Sequence, residues 1–249
     1  LTKHFSQPDN PSITDFGHIF SPRNYRYFLA SKYIDLAAPK VLDIGGYKSR
    51  ADCLERFLDG VEYTSVNIAG GWYENEEIDI EYDGQTLPIK DNSFDFVVCV
   101  DTLEHVVSKE RRKVVAEAYR VAKKKAIIVV PIDTSEESCE ANYSSLASTL
   151  GFAIRPSIVE HLDRGLPSLG ELKEYAGLFP HSIYLHTDRK LYWAIQNAML
   201  VNSFAFGDQA IDLNQKIQSV SDKFLIDTEK SQPENDAYRA VVVLDKAND

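Results

Sequence analysis

The stretch KVLDIGGYKSRADCLERFL, residues 40–58, decides the fold. Lys40–Ile44 is a short, mostly apolar run closed by Gly45 and Gly46, and from Arg50 to Leu58 the apolar Leu54, Phe57 and Leu58 share one helical face. Strand, glycine turn and helix make the opening unit of an alternating chain. Outward from it, Glu62 to Ile68 alternates as a second strand ended by Gly70 and Gly71, and Ile78 with Ile80 offers a short third before the turn LPIKDNSFD, 87–95. Phe94 to Val100 is near-continuously apolar, as a strand covered on both faces must be. Ser108 to Ala122 reads as a helix with Val114, Val115, Ala118 and Val121 inward, and Ala126 to Val130 as a fifth strand stopped by Pro131. Strands alternating with helices imply a parallel sheet with right-handed crossovers.

Upstream, residues 1–12 are polar, and Tyr25, Phe28, Leu29, Tyr33 and Ile34 recur at helical spacing as a lead-in helix to Leu36. Beyond Pro131 the pattern loosens. It predicts a helix near 136–150, a loop holding Pro156, Gly165 and Pro167, and a short helix from Ser168. A sixth strand follows at Ser182–His186, then helices at Arg189–Phe204 and Asp208–Leu225, the break SQPEND at 231–236, and a final strand at Tyr238–Leu244.

The 44% hydrophobic and 26% charged content allows a real core, which places the chain among soluble globular proteins. A net charge of -11 argues against a nucleic-acid partner or an anionic membrane surface and favours a small or neutral one. Cys53, Cys99 and Cys139 form no CxxC pair, which fits a reducing cytoplasm. The start, LTKHFSQPDN, lacks a signal-peptide pattern, and no run approaches the ~20 apolar residues of a membrane span. The first residue is Leu, so an upstream segment is left open, as is the oligomeric state.

The turn DIGGYKS, 43–49, discriminates among nucleotide cofactors. A dinucleotide site needs GxGxxG so that backbone N–H groups meet a pyrophosphate. Here the later glycines are absent, and Asp43 would repel phosphate at the strand end. No GxxxxGK[ST] occurs, so the turn is not a P-loop. S-adenosylmethionine has no phosphate and carries an ammonium and a sulfonium, so a carboxylate beside a glycine turn suits it.

VLDIGG (41–46), LPIKDNSFDFVVCVDTLEHV (87–106) and YRVAKKKAIIVVP (119–131), in this order, resemble the motifs of class I S-adenosylmethionine-dependent methyltransferases of the type 11 kind. The resemblance implies an α/β, Rossmann-like, doubly wound, seven-stranded and mostly parallel sheet, with helices on both faces and an antiparallel last strand. It implies one domain over 1–249: a helical lead-in or lid at 1–36, a cofactor-binding core at 37–131 and an acceptor-side region at 132–249. It sets Asp43 near the amino group of S-adenosyl-L-methionine and Gly45 and Gly46 against its methionine portion. Asn67, followed by Ile68, stands where an acid usually grips the ribose hydroxyls. Asp83 and Gly84 match the adenine-recognising position, and Asp101 and Thr102 close the pocket on the sulfonium side. Each has a plainer reading: Gly45–Gly46 and Asp83–Gly84 as ordinary turns, Asp43 and Asp101 as helix caps.

Three departures from the family pattern stand out. Tyr47 and Ser49 replace glycines, which predicts a wider turn or a shifted ligand. Asn67 is neutral where the family has an acid. Lys123, Lys124 and Lys125 occupy the place of a Gly-Gly turn after the helix and read as a favourable C-terminal cap.

A base is needed when the methyl acceptor is a hydroxyl, and a histidine titrates in the right range. His105 is the first candidate, with orienting the loop or packing on adenine as the other reading. His161, in the variable region, is the second, with a surface loop histidine as the plainer account. His18, Arg23 and Tyr25 suggest a lid or simply a packing helix. IVEHLDRGLPSLGELKEY (158–175) and KLYW (190–193) resemble a bacterial methyltransferase subgroup associated with cell-surface polysaccharide synthesis, which implies a small-molecule or saccharide acceptor and makes Tyr184, Tyr192 and Trp193 stacking candidates or core residues. The competing class is a catalytically inactive methyltransferase-fold binding module. A metal-dependent hydrolase built on His105, His161 and nearby carboxylates is disfavoured because no HxH or HExxH spacing supports it, so no metal is expected. A nicotinamide oxidoreductase is disfavoured by the missing phosphate turn.

Overall fold

The computed structural model describes residues 22–68, 76–84, 86–133, 138–227 and 232–246. Helix α1 (Pro22–Ser31) leads into β1 (Lys40–Ile44), α2 (Ala51–Glu55), β2 (Glu62–Ile68), β3 (Ile80–Tyr82) and β4 (Phe94–Val100). Then come α3 (Ser108–Val121), β5 (Ala122–Pro131), α4 (Cys139–Thr149), α5 (Pro156–Arg164) and α6 (Leu169–Ala176). The chain closes with β6 (His181–Asp188), α7 (Arg189–Phe206), α8 (Ala210–Asp227) and β7 (Ala237–Asp245). The strands form one seven-stranded sheet in the order β3-β2-β1-β4-β5-β7-β6. β1 runs parallel to β2 and β4, and β4 runs parallel to β5. β7 is antiparallel to both of its neighbours, with Val129 opposite Val241 on one side and Tyr184 opposite Val241 on the other.

Side-chain alternation along the strands builds two cores from one sheet. Leu42 and Ile44 of β1, Val97 and Cys99 of β4, and Ile128 and Val130 of β5 face α3 and α6, where Val115, Ala118, Leu172 and Tyr175 cover them. Their neighbours Val41, Phe96, Val98, Ile127 and Val129 face α1 and α2, against Tyr27, Leu29 and Leu54. Each such buried side chain contributes about 1.5–3 kcal/mol of apolar transfer free energy. A third, aromatic cluster joins Tyr143 of α4, Ile158 of α5, Trp193 of α7 and Tyr238 of β7.

Several expected boundaries move for identifiable reasons. The lysine run is no helix cap: α3 stops at Val121, Ala122 already has ψ 140°, and Lys123–Lys125 belong to the open end of β5, where Lys125 Nζ meets Asp35 Oδ2 at 2.8 Å. The expected loop around Pro156 is helix α5: Pro156 sits in its first turn, where its missing N–H costs nothing, and Gly165 leaves it with φ +70°. α2 is shorter than expected, because Phe57 and Leu58 N–H both turn back to Leu54 O. The short third strand lies at Ile80–Tyr82 rather than 78–80. Gly70, Gly71 and His18 lie outside the described residues, as does the side chain of Arg23. Among the described residues, no helix is long and apolar enough to cross a membrane.

Candidate functional site

β1 is followed on one side by β2 and on the other by β4, so the sheet changes direction between β1 and β4. In open α/β sheets, ligands bind outside the strand ends at such a point. A cavity of about 740 Å³ opens there, lined by Gly45 after β1, Asn67 and Ile68 of β2, Asp101 and Thr102 after β4, and Pro131 of β5. Because β7 is antiparallel, its beginning lies at the same end, and Tyr238 and Arg239 enter the wall.

The turn at the heart of this wall is tight. Gly45 has φ +80°, and a Cβ there would lie 2.2 Å from Thr102 Oγ1, so no other residue fits without displacing Thr102. Its N–H donates to Val66 O at 2.7 Å, which seats the turn on β2. The expected widening at Tyr47 and Ser49 does not occur through backbone strain. Tyr47 is extended (φ -134°, ψ 155°), and neither residue has positive φ, so glycine is not needed at either. Tyr47 is buried in the cavity wall, with the Arg50 guanidinium 5.2 Å from its ring centroid. Ser49 is exposed and donates to Glu76 Oε2 at 2.5 Å.

Asp43 and Gly46 stand one layer behind the wall. The Asp43 side chain is buried and caps no helix: Tyr27 Oη and Tyr63 Oη both donate to Oδ2, the second at 2.8 Å, while Oδ1 has no partner among the described residues. Burial pushes its pKa up to about 6, against the lowering effect of the two tyrosine bonds and Arg50. A Cβ on Gly46 would lie 2.6 Å from that carboxylate and from Tyr63 Oη. The Asn67 amide folds onto its own backbone, with Oδ1 accepting from Ile68 N at 2.8 Å. Asp83 and Gly84 do not line the cavity; a Cβ on Gly84 would touch Ile68 Cγ2 at 3.4 Å, which places the pair just beyond the wall.

Asp101 does more than close the pocket. It holds φ +44°, a conformation Asp tolerates better than most residues, and its carboxylate binds Arg26 of α1 and Arg239 of β7, with Arg239 Nη2 to Oδ2 at 3.1 Å. Burial alone would favour the neutral acid, but the two guanidiniums overcome it and hold the carboxyl well below the ordinary carboxylate range. α1 therefore reaches the site through Arg26, which the sequence reading missed. Tyr25 on the same helix is buried among Phe28 and its neighbours as a packing residue.

The two candidate histidines come together from chain positions far apart. His105 ends a 3-10 turn after β4 and His161 lies in α5; their ring centroids are 4.8 Å apart. His161 is not a surface loop residue: it is buried on its helix and 8% exposed. His105 Nδ1 lies 2.9 Å from Glu160 Oε2, and His161 Nδ1 lies 2.9 Å from Glu140 Oε1. Arg111 of α3 fixes this corner by donating to Val106 O at 2.9 Å and to Gly165 O. Burial and the neighbouring His161 lower the His105 pKa, with Glu160 opposing them. Glu104, beside them and 1% exposed, is pushed well up by burial and by Asp101.

Of the proposed stacking residues, Tyr192 and Trp193 line the cavity, and Trp193 Nε1 has no partner among the described residues. Tyr184 does not line it; its ring stacks on Tyr33 at 5.0 Å. Glu104, Glu140 and Glu160 carried no signal of their own in the sequence, since only the fold brings them to the histidines.

Residues 48–130 match the family model described as a methyltransferase domain. No curated protein matches the sequence. The fold is shared with solved methyltransferases at low identity. A SAM-dependent methyltransferase from Archaeoglobus fulgidus is 16% identical with a TM-score of 0.51, over 96% of this chain and 100% of that one. A SAM-dependent methyltransferase from Thermotoga maritima is 16% identical with a TM-score of 0.52, over 94% and 96%. Phosphoethanolamine N-methyltransferase 2 from Haemonchus contortus, in complex with phosphomonomethylethanolamine and S-adenosylhomocysteine, is 14% identical with a TM-score of 0.55, over 98% of this chain and 59% of that one.

Proposed function

We propose that this chain is an S-adenosyl-L-methionine-dependent enzyme that moves a methyl group to a hydroxyl of a small or sugar-linked acceptor, with residues 37–131 holding the donor and 132–249 framing the acceptor. The observation that carries the reading is the division of one cavity: Gly45, Asn67, Ile68 and Thr102 line it on the strand-end side, and His105, His161, Tyr192 and Trp193 line it on the helical side. The donor supplies an electrophilic methyl on a positively charged sulfur. The residues fit it, because Gly45 keeps the wall next to Thr102 free of a side chain, and the Asp43 carboxylate one layer behind, with Oδ1 unpartnered among the described residues, draws an ammonium toward that wall.

On the acceptor side, Trp193 and Tyr192 offer aromatic faces to a sugar ring, and Trp193 Nε1 offers a donor to one of its hydroxyls. His105 and His161 each direct Nδ1 to a glutamate, which leaves Nε2 as the atom that takes the acceptor's proton. With the donor bound, the acceptor's proton would pass to a histidine Nε2 and the positive charge would move from sulfur to that imidazole, so the cavity's residues have to align the reactants, take the proton and exclude water. Asp101 keeps its negative charge in the cavity wall through its two arginine partners.

The non-catalytic reading loses part of its motive, since Tyr47 needs no glycine backbone. The deciding experiment incubates the protein with methyl-labelled S-adenosyl-L-methionine and a panel of nucleotide sugars, glycosides and small amines. Label in a product together with S-adenosylhomocysteine is expected. Donor binding with no product across hydroxyl and amine acceptors would favour a binding module instead.

A further inference from the structure

We propose that Glu104, His105 and His161 form a binding site for a divalent transition-metal ion of the zinc type, facing the acceptor side of the cavity. Their ligand atoms lie within 4.8 Å of one another. Two nitrogens and one oxygen around a single ion at about 2.0–2.2 Å stand ~3.3–3.5 Å apart, so side-chain adjustments of about 1 Å close the set.

Proximity alone would be weak, and the surroundings supply the stronger argument. Metal-bound histidines characteristically give their second ring nitrogen to a carboxylate, which fixes the tautomer and raises the basicity of the ligating nitrogen. Both histidines here are held in that way, His105 by Glu160 and His161 by Glu140, each at 2.9 Å. Glu140 is itself held, accepting from Tyr238 Oη at 3.3 Å, and Arg164 Nη2 holds Glu160 at 2.9 Å. The atoms left over are the ones a cation needs. His161 Nε2 and Glu104 Oε2 are buried and have no partner among the described residues, and Glu104 Oε1 lies 3.9 Å from His105 Nε2. A buried carboxylate oxygen without a partner is costly, and a cation offsets that cost. Asp101 binds both nearby arginines, Arg26 and Arg239, and offsets one of their two charges.

A set of two imidazoles and one carboxylate suits zinc, iron or nickel better than magnesium or calcium, and three protein ligands leave a position open to the cavity. The sequence offered His105, His161 and nearby carboxylates but disfavoured a metal, because Glu104 and His105 are adjacent and His161 lies on another element, a spacing that matches no local metal motif. Ion binding stands independently of the methyl-transfer reading. If both hold, the ion would acidify the acceptor hydroxyl, whose proton would leave to solvent water as the acceptor binds, and the two Nε2 atoms would act as ligands in place of taking it.

The test uses the full chain, stripped with a chelator and titrated calorimetrically with Zn²⁺ alone, then with Co²⁺ under visible absorption. One equivalent of Zn²⁺ and a visible Co²⁺ band are expected. His161→Ala and Glu104→Gln should each weaken binding at least tenfold, and Glu140→Gln about 10- to 100-fold as an outer-shell change. His181→Ala, on an exposed histidine outside the site, should leave binding unchanged. Glu104→Gln preserves shape, so it reports even if an alanine variant melts early. Wild-type binding equal to that of a His105→Ala/His161→Ala double variant, or absence of the Co²⁺ band, overturns the proposal whether or not methyl transfer is observed. Full turnover in chelator with Zn²⁺ binding intact leaves the ion site standing and returns the proton to the histidines.

Discussion

Arg239 in the last strand and Asp101 at the end of β4, 138 positions apart, form a buried ion pair in the cavity wall, with Arg26 completing the set. Removing the carboxylate strands a guanidinium that is only 4% exposed. Asp101→Asn is expected to destabilise the protein by about 3–5 kcal/mol in denaturant unfolding, and Asp101→Asn combined with Arg239→Met to recover part of that loss. The folded-state pKa of Asp101 is depressed, so its contribution is present above the ordinary carboxylate range and fades as pH falls toward the folded value. Wild type should therefore lose stability in acid more steeply than the double variant.

Asp43 titrates with the opposite sign. Its folded pKa is raised from 3.8 to about 6, so the neutral acid is favoured on folding, and that stability is complete below 3.8 and lost as pH rises through about 6. The ligand-free protein should lose on the order of 3 kcal/mol across this window from Asp43 alone. Asp43→Asn should flatten the profile when unfolding free energy is followed against pH, and it should weaken donor binding at the same time. An unchanged profile in the variant would sink the assignment.

The sheet was legible because its signals are local. Strands 40–44, 62–68 and 94–100 are bounded as the apolar runs and glycines suggested, and the boundaries of β6, β7 and α7 moved by only a few residues. The failures are equally physical. Three lysines looked like a helix cap because charge says nothing about whether a backbone is paired, and they belong to β5. Pro156 and Gly165 looked like loop residues, although the same residues mark the two ends of α5. In the candidate site, Gly45, Asn67, Ile68, Asp101, Thr102 and both histidines reach the cavity, whereas Asp43, Gly46, Asp83 and Gly84 stand behind or beside it. Arg26 and Arg239 could not have been found, because an ion pair across 75 or 138 positions leaves no spacing to read.

Gly45→Ala places a methyl 2.2 Å from Thr102 Oγ1 at φ +80°. Overpacking and backbone strain together should cost about 2–4 kcal/mol, seen as a lower midpoint in thermal unfolding. Donor affinity, measured by calorimetry, should fall with it. A variant as stable as wild type would mean that the turn is looser than its geometry implies.

Asn67→Asp restores a charged acceptor on β2 while keeping the oxygen that accepts from Ile68 N. A charge-assisted bond to ribose exceeds a neutral one by ~1 kcal/mol, so donor should bind about fivefold more tightly in calorimetric titration. Equal or weaker affinity would remove Asn67 from the ribose site.

The histidine pair predicts a displaced pH–rate profile. Burial and His161 lower the His105 pKa, so the basic form persists below the usual 6.5, and in chelator-treated enzyme kcat/KM should begin to rise at a lower pH than an ordinary histidine gives. Glu160→Gln removes an opposing influence and should move the limb lower still, while His161→Ala should move it up. A limb that ignores both substitutions would exclude His105 as the group that titrates.

The antiparallel insertion of β7 between β5 and β6 also sets a timetable. During synthesis at about 5–20 residues per second, roughly 7–28 s separate the emergence of Asp101 from that of Arg239. In that interval β5 has an open edge and Asp101 lacks its last-strand counter-charge, although every residue proposed to hold the donor has already been made. Until β7 has paired, the Asp101 carboxylate has Arg26 as its only described cationic partner, so the cavity wall is finished by a strand made long after the one it supports.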